Sequence, residues 1–209
     1  MQDRAIACEA NIEVKTGHAG RLLAIIDDVI KKAGADRQAI DLIAVGIGPG
    51  SFTGIRIGIA TAKGLSTALG CGISGINTLD ALAHGAIPSN IPIMPIIDAR
   101  KSEVFCALYS PEGIPVTHYM NIRPERIRDY ISSDTLFIGN GLDLYKDDLQ
   151  KDLEGLFFVG PKDLWNPRAS TIGLMASNTL HQAPCTDVNP VYVRPSDATL
   201  TLNRSLKKG

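Results

Sequence analysis

An α/β fold of two lobes is what this sequence predicts, on three observations. Helical periodicity and short apolar runs alternate through the first half, as in parallel crossover units. Between Leu42 and Ala99 only Arg56, Lys63, Asp80 and Asp98 carry charge, so that stretch is mostly interior. Beyond Ile91 closely spaced apolar runs joined by a turn read as an antiparallel meander. The 209 residues fit one domain or two lobes sharing a core, against a prior of roughly 150 residues per domain. The division near residues 91–97 gives a first lobe of 1–94 and a second of 95–209.

The elements follow in order. Leu22, Leu23, Ile25, Ile26, Val29, Ile30 and Ala33 recur at helical spacing, which predicts a helix over 21–33 stopped by Gly34. Leu42 to Ile47 is a continuous apolar run, expected of a strand covered on both faces. A loop, Gly48-Pro49-Gly50-Ser51, opens a helix over 52–69 that Gly70 ends. A strand at Gly72 to Ile76 and a helix from about Leu79 complete the first lobe. In the second, Ile93 to Ile97, Glu103 to Tyr109 and Ile114 to Met120 read as strands, the latter two joined at Ser110-Pro111-Glu112-Gly113. Pro124 suits the first turn of a helix running to about Ile131, and Thr135 to Ile138 is another strand. Ser170 is expected to cap a last helix that runs to Leu180.

Composition narrows the class. With 44% hydrophobic and 21% charged residues the chain can bury a core, and at 5% aromatic that core is aliphatic. Twenty-one basic against 22 acidic residues exclude a strongly basic nucleic-acid coat and argue against a polybasic membrane binder. No run approaches the ~18 apolar residues of a membrane span, and Met1-Gln2-Asp3-Arg4 leads into no apolar region of the signal-peptide kind, so secretion by that route is not expected. Cys8, Cys71, Cys106 and Cys185 are scattered, as reduced thiols of a cytoplasmic protein are.

The segment from Gly46 to Gly58 is the richest in information, for nine of the 20 glycines fall between Gly46 and Gly75. A glycine-rich turn from strand to helix can present N–H groups to phosphate. Neither standard motif fits, however. There is no Gly-Lys followed by Ser or Thr, and a dinucleotide fingerprint meets Ser51 or Thr53 where its third glycine belongs. Gly50, Gly54, Gly58 and Ala62 lie four apart and form a nearly bare stripe along the helix. Glycine inside a helix costs about 0.5–1 kcal/mol relative to alanine, so repeating it implies close approach by another element. The stripe is therefore expected to be a packing surface, internal or between subunits.

These residues carry a resemblance. Gly48-Pro-Gly-Ser-Phe-Thr-Gly-Ile-Arg-Ile-Gly-Ile-Ala-Thr-Ala-Lys-Gly64 resembles the signature of the bacterial TsaB family, also called YeaZ. Ile97-Asp-Ala-Arg-Lys-Ser-Glu-Val-Phe105 resembles that family's second-lobe strand and turn, and Phe137-Ile-Gly-Asn-Gly141 its later glycine turn. Pro190-Val-Tyr-Val-Arg194 with Asp197 resembles its C-terminal segment. The resemblance implies an actin-like ATPase (ASKHA, ribonuclease H-like) fold of two lobes. It implies a non-catalytic role in making threonylcarbamoyladenosine beside the anticodon of tRNA. The partners implied are a TsaD-like catalytic subunit and a TsaE-like ATPase, with tRNA reached indirectly through the complex and a homodimer formed when the chain is alone.

In that family the pairing surface is built mainly from the two first-lobe helices. On the first, the residues expected at the interface are Leu22, Ile26 and Ile30. On the second they are Phe52, Gly54, Ile55, Arg56, Gly58, Ile59, Ala62 and Lys63, of which Arg56 and Lys63 lie two turns apart on one face. Such isolated charges need a counter-charge or water, hence a partner or inter-lobe contact. Members of the family open with a strand of the Ile-Leu-Ala-Ile-Asp-Thr-Ser type. This chain starts too late for it, so the first lobe is expected to be N-terminally shortened, with neighbouring strands short of ladder partners.

The inventory of reactive groups fits a role without catalytic residues, metal or cofactor. His18, His84, His118 and His181 are far apart, which leaves no paired-histidine metal site. Gly72-Ile-Ser-Gly75 lacks the last glycine of a nucleophile elbow, which weakens a peptidase reading. Asp98 ends a strand where ATPases of this fold hold phosphate or metal, but Ala99-Arg100-Lys101 replaces the glycines phosphate would need. Ser51, Asp98 and Arg100 are thus expected to mark a vestigial nucleotide cleft, and a small-molecule kinase or ATPase is the alternative function. Arg194, Arg204, Lys207 and Lys208 make the tail locally basic, as a solvated end.

Overall fold

A computed structural model describes residues 5–12, 18–179 and 188–194. The first helix, α1 (His18–Lys32), leads through a 3-10 turn (Arg37–Ala39) into β1 (Leu42–Gly46), α2 (Phe52–Leu69), β2 (Gly72–Ile76) and α3 (Thr78–Gly85). A second run follows: β3 (Ile93–Arg100), β4 (Glu103–Cys106), β5 (Met120–Ile122), a 3-10 helix (Pro124–Tyr130), β6 (Thr135–Ile138), α4 (Leu142–Asp152) and β7 (Phe157–Val159). The chain then passes a 3-10 turn (Lys162–Leu164) and closes with α5 (Ala169–Thr179). The strands form two sheets, a parallel β1–β2 pair and a five-stranded sheet of order β5-β4-β3-β6-β7.

The first sheet is in register from Leu42 opposite Gly72 to Gly46 opposite Ile76. On one face α2 buries Ile59 and Ala62 against Ile73 and Val188, with Ile43, Val45, Ile47 and Ile55 beside them. On the other face α5 supplies Ala176, Ile172 and Met175 against Leu42, Ala44 and Ile76. The limits of α2 are those expected: Ser51 Oγ accepts from Gly54 N at 3.3 Å, and Gly70 adopts φ +66° after the last turn. Helix α1 starts at His18, three residues before the expected 21, and Gly34 at φ +61° ends it. β1 is covered on both faces as expected, by α2 and by α5, and is half-buried along its length. One further expectation needs correction. Ser170 does not cap α5, which begins at Ala169; its backbone N–H donates instead to Glu9 Oε1 at 2.7 Å, across 161 residues of sequence.

The five-stranded sheet sorts its side chains by the two-residue period of a strand. Ile93 and Ile97 point with Phe105 and Tyr109 to the face covered by α3, where Leu79, Leu82 and Ala83 are buried. Met94 and Ile96 point with Val104 and Phe137 to the opposite face, covered by Leu142 and Leu149 of α4 and by Ile127. β6 runs over Thr135–Ile138 as expected, and β3 continues past Ile97 to Arg100. The meander is shorter than expected. β4 ends at Cys106, and Ile114 to Met120 is no strand, because Pro115 cannot donate and local contacts take the ladder's place. Leu108 N donates to Thr117 Oγ1, and Leu108 O accepts from the Val116 and Thr117 N–H groups. The Pro124 segment is a 3-10 rather than an α-helix. Helix α4 and strand β7 were not anticipated.

Candidate functional site

Two surfaces gather the residues singled out from the sequence. The first is the outer side of α1 and α2. Helix α2 turns Ile55, Ile59 and Ala62 toward the first sheet, and the last two are only 6% and 5% exposed. They are core residues, which corrects their expected place at a partner interface; the β1–β2 sheet occupies that side. Gly58 belongs with them, since a Cβ there would lie 3.6 Å from Val45 Cγ2. The bare stripe is therefore mixed: Ala62 is buried and Gly58 half-buried, while Gly54 is exposed, and Gly54 and Gly58 both line the groove beside α1. What faces outward is a second line of small residues, Ala60, Gly64 and Ala68, all exposed, and a Cβ on Gly64 would meet nothing within 4 Å. Along α1 Leu22, Ile26 and Ile30 are half-buried, Leu23 is 55% exposed, and no residue from Gly20 to Lys32 is buried. A groove of about 610 Å³ runs between the helices, lined by Leu22, Ile25, Thr53, Gly54 and Ile57. Lys63 is exposed on α2.

The second surface is a cleft of about 710 Å³ bounded by the α2 N-terminus, the end of β3 and the 192–194 segment. It is lined by Ser51, Asp98 and Arg100 together with Phe52 and Arg56, the last two of which were expected at the partner face. The Arg56 guanidinium carbon sits 3.9 Å above the Phe52 ring, and its Nε donates to Tyr192 Oη at 3.1 Å. Phe52 and Tyr192 stack with centroids 5.4 Å apart. The inter-element contact expected of Arg56 is thus made to a tyrosine, not a carboxylate.

The β3–β4 turn builds the opposite wall. Arg100, Lys101 and Ser102 all have φ near +60° (62°, 57° and 57°), a left-handed run rare for residues with a Cβ. Asp98 holds it, accepting from Arg100 N at 2.8 Å and pairing with the Arg100 guanidinium at 3.3 Å. Asn140 Oδ1 accepts from Asp98 N at 3.1 Å, and the glycines that flank Asn140 allow this. A Cβ on Gly139 would stand 2.2 Å from Ile96 O, and one on Gly141 3.1 Å from it. Nearby, Arg194 pairs with Glu103 at 3.0 Å while Asn121 Nδ2 donates to the same carboxylate oxygen at 2.7 Å. The Asn121 hydrogen bond, aided by Arg194, holds the Glu103 carboxyl below its usual value. Arg194 was expected in a solvated basic tail, and its pairing with Glu103 at a side-chain exposure of 20% corrects that. Asn140 and Tyr192 had no expected role; their only signal was membership of the two later motif segments.

The remaining reactive groups do not assemble. Among the described residues no three His, Cys, Asp or Glu side chains converge as metal ligands, and no helix is long and apolar enough to cross a membrane. Burial pushes the Cys106 thiol up to about 12, while Cys8 and Cys71 are half-buried free thiols. Cys185, His181, Asp197 and the basic tail of Arg204, Lys207 and Lys208 lie outside the described residues.

Two α/β layers, a two-helix outer face and a cleft between the sheets define a class, the actin-like ASKHA fold. A family model described as TsaD: tRNA N6-adenosine threonylcarbamoyltransferase matches residues 12–204. The chain belongs to that family, and within it to the TsaB/YeaZ group. It is 25% identical to the tRNA threonylcarbamoyladenosine biosynthesis protein TsaB of Bacillus subtilis (strain 168), over 95% of this chain and 89% of the relative. The protein of the same name from Escherichia coli (strain K12) is 32% identical over 62% and 60% of the two chains. Among solved structures, YeaZ from Pseudomonas aeruginosa superposes with a TM-score of 0.71 at 28% identity, covering 86% of each chain. A second solved structure, described as that of an uncharacterized protein with similarity to peptidase YEAZ from Pseudomonas aeruginosa, gives 0.72 at 28% identity over 87% and 86%.

Proposed function

We propose that this chain is a non-catalytic partner of a TsaD-like transferase in the formation of threonylcarbamoyladenosine in tRNA. Family membership and the names of the curated relatives support the pathway. The observation that carries the partner role is the α1–α2 face. An amphipathic helix buries none of its residues from Gly20 to Lys32, beside a helix whose outward line of Ala60, Gly64 and Ala68 leaves room for another helix to approach. The role is to hold or bias the catalytic subunit, with a TsaE-like ATPase as a further partner and tRNA reached through the complex. Alone, the same face closes a homodimer. The setting is the cytoplasm.

The surface is tested with Gly64→Leu, which fills the approach without touching the chain's own core. The expected result is a folded protein that no longer co-elutes with the TsaD-like subunit; co-elution at the wild-type level sinks the proposed surface. Gly58→Leu is no substitute, because it strikes Val45 and unsettles the α2–β1 packing first. The role is tested by assaying modified tRNA with the chain alone, the transferase alone and both. Only the pair is expected to be fully active, and product made by the chain alone would reject the reading.

A further inference from the structure

Residues 188–194 cross from one sheet to the other and are held on both. Val188 is buried among Ile59, Ala62 and Ile73 beneath α2. A Cβ on Gly75 would lie 3.0 Å from its Cγ1, so the glycine leaves β2 bare where Val188 enters. Val191 N then donates to Ile47 O at 2.8 Å, just past β1, and a Cβ on Gly48 would lie 3.0 Å from Val191 O. Tyr192 turns to the first turn of α2, where it stacks on Phe52 and accepts from Arg56 Nε. The last two residues reach the second sheet. Val193 packs against the cluster that contains Ile97 and Phe105, and Arg194 pairs with Glu103 of β4 at 3.0 Å.

The two ends are unequally held. Val188 is only 2% exposed, whereas Tyr192 is 44% exposed and the Arg194 and Glu103 side chains keep 20% and 30%. Local opening begins where burial is least, and a partly exposed ion pair contributes little against it. The segment therefore opens from Arg194 back toward Val191 while Val188 stays in the core. Helix α3, which packs on β3 and on α5, keeps the sheets joined meanwhile.

We infer that residues 191–194 are a releasable latch between the two sheets, and that seating the latch and docking a partner on α1 and α2 favour each other. The second clause rests on the proposed partner role; the first does not. The start of α2 is the element common to both. Phe52 and Arg56 hold Tyr192 on one side of it, while Thr53, Gly54 and Ile57 line the groove beside α1 on the other. Ser51, which caps the helix through Gly54 N, lines both the groove and the cleft. A seated latch orders this turn, so less ordering is left for the partner to impose. By reciprocity, a bound partner holds the latch shut.

The test is amide hydrogen exchange over residues 191–194 and over β6, in the wild-type chain, Tyr192→Ala, Arg194→Gln and the double variant. Each is measured alone and with excess TsaD-like subunit, and the dissociation constants are compared. Alone, each single variant is expected to exchange about fivefold faster over 191–194, the effect of one partly exposed contact, with β6 unchanged. An unchanged β6 also shows that the fold is intact. Excess partner is expected to slow exchange over 191–194 in the wild type, and the double variant to bind about threefold or more weakly, as its competent fraction falls. The latch is overturned if neither single variant quickens exchange there, or if 191–194 and β6 open only together. The coupling is overturned if the partner binds without slowing exchange over 191–194, or if the double variant binds like the wild type. Failure of the wild type to bind rejects the partner role and the coupling with it, while exchange in the chain alone still decides the latch.

Discussion

Glu103 shows how much one side chain can hold. Its carboxylate takes Asn121 from β5 and Arg194 from the far end of the described chain, and the two donors keep it ionised below its ordinary value of 4.5. A depressed folded value stabilises the native state at neutral pH, and the gain disappears as pH falls through that value. Glu103→Gln is therefore expected to lower stability by about 1 kcal/mol or less at about pH 7, for a partly exposed pair. Urea midpoints of the two proteins should draw together as the pH is lowered from neutral through the carboxyl's depressed value; a gap that stays constant over that range would contradict the assignment. Sequence reading gave Glu103 no role, because its donors lie 18 and 91 residues away.

At the scale of elements, the turn between β6 and α4 is the most constrained. Gly139 combines φ +104° with a backbone oxygen 2.2 Å from any Cβ, so it serves both a conformation and a close approach. Gly139→Ala adds backbone strain to overpacking, each about 1–3 kcal/mol, and is expected to cost about 3 kcal/mol or more in urea unfolding. A loss below about 1 kcal/mol would show that β3 can yield. Helix α2 teaches the opposite lesson about glycine. The spacing of Gly50, Gly54, Gly58 and Ala62 correctly announced a packing surface, but spacing alone does not say which line of small residues faces the sheet. Ala60, Gly64 and Ala68 have the same period, and only the position of β1 decides that Ala62 is buried, that Gly54 opens on the groove beside α1 and that the second line faces outward.

For the whole molecule, α3 is the piece that binds the two sheets into one body. It packs on β3 of the second sheet and on α5, which in turn covers β1 and β2. Its anchor is Asp80, whose carboxylate accepts from Tyr109 Oη at 2.6 Å and from Tyr119 Oη at 3.0 Å. Burial first, then the neighbouring carboxylate, raises both phenols, that of Tyr119 to about 12. Asp80→Ala strands both hydroxyl groups and is expected to cost about 2–4 kcal/mol, with Asp80→Asn, which keeps an acceptor, costing less. Chemical denaturation of both variants checks this. Equal stability in all three proteins would mean that the hydroxyl groups find water instead. Asp80 stood out in the sequence as one of four charges in an apolar stretch, and its partners are what only the fold could show.

The sequence by itself determined the α/β class, the limits of α2, β2 and β6, and the family, because caps, apolar periods and a long motif are local properties of the chain. It placed Ser51, Asp98 and Arg100 in one cleft through resemblance, and the structure brings them together. Only the tertiary structure decided that Ile59 and Ala62 are core, that Arg56 faces the cleft, and that Glu9, not Ser170, serves the start of α5. Those facts depend on which element covers which face, and that is set by contacts between residues far apart in sequence. Helix α4 and strand β7 escaped for a related reason: Leu142 and Leu149 are its only fully buried positions, a pattern too sparse to announce a helix until the second sheet supplies the surface they cover.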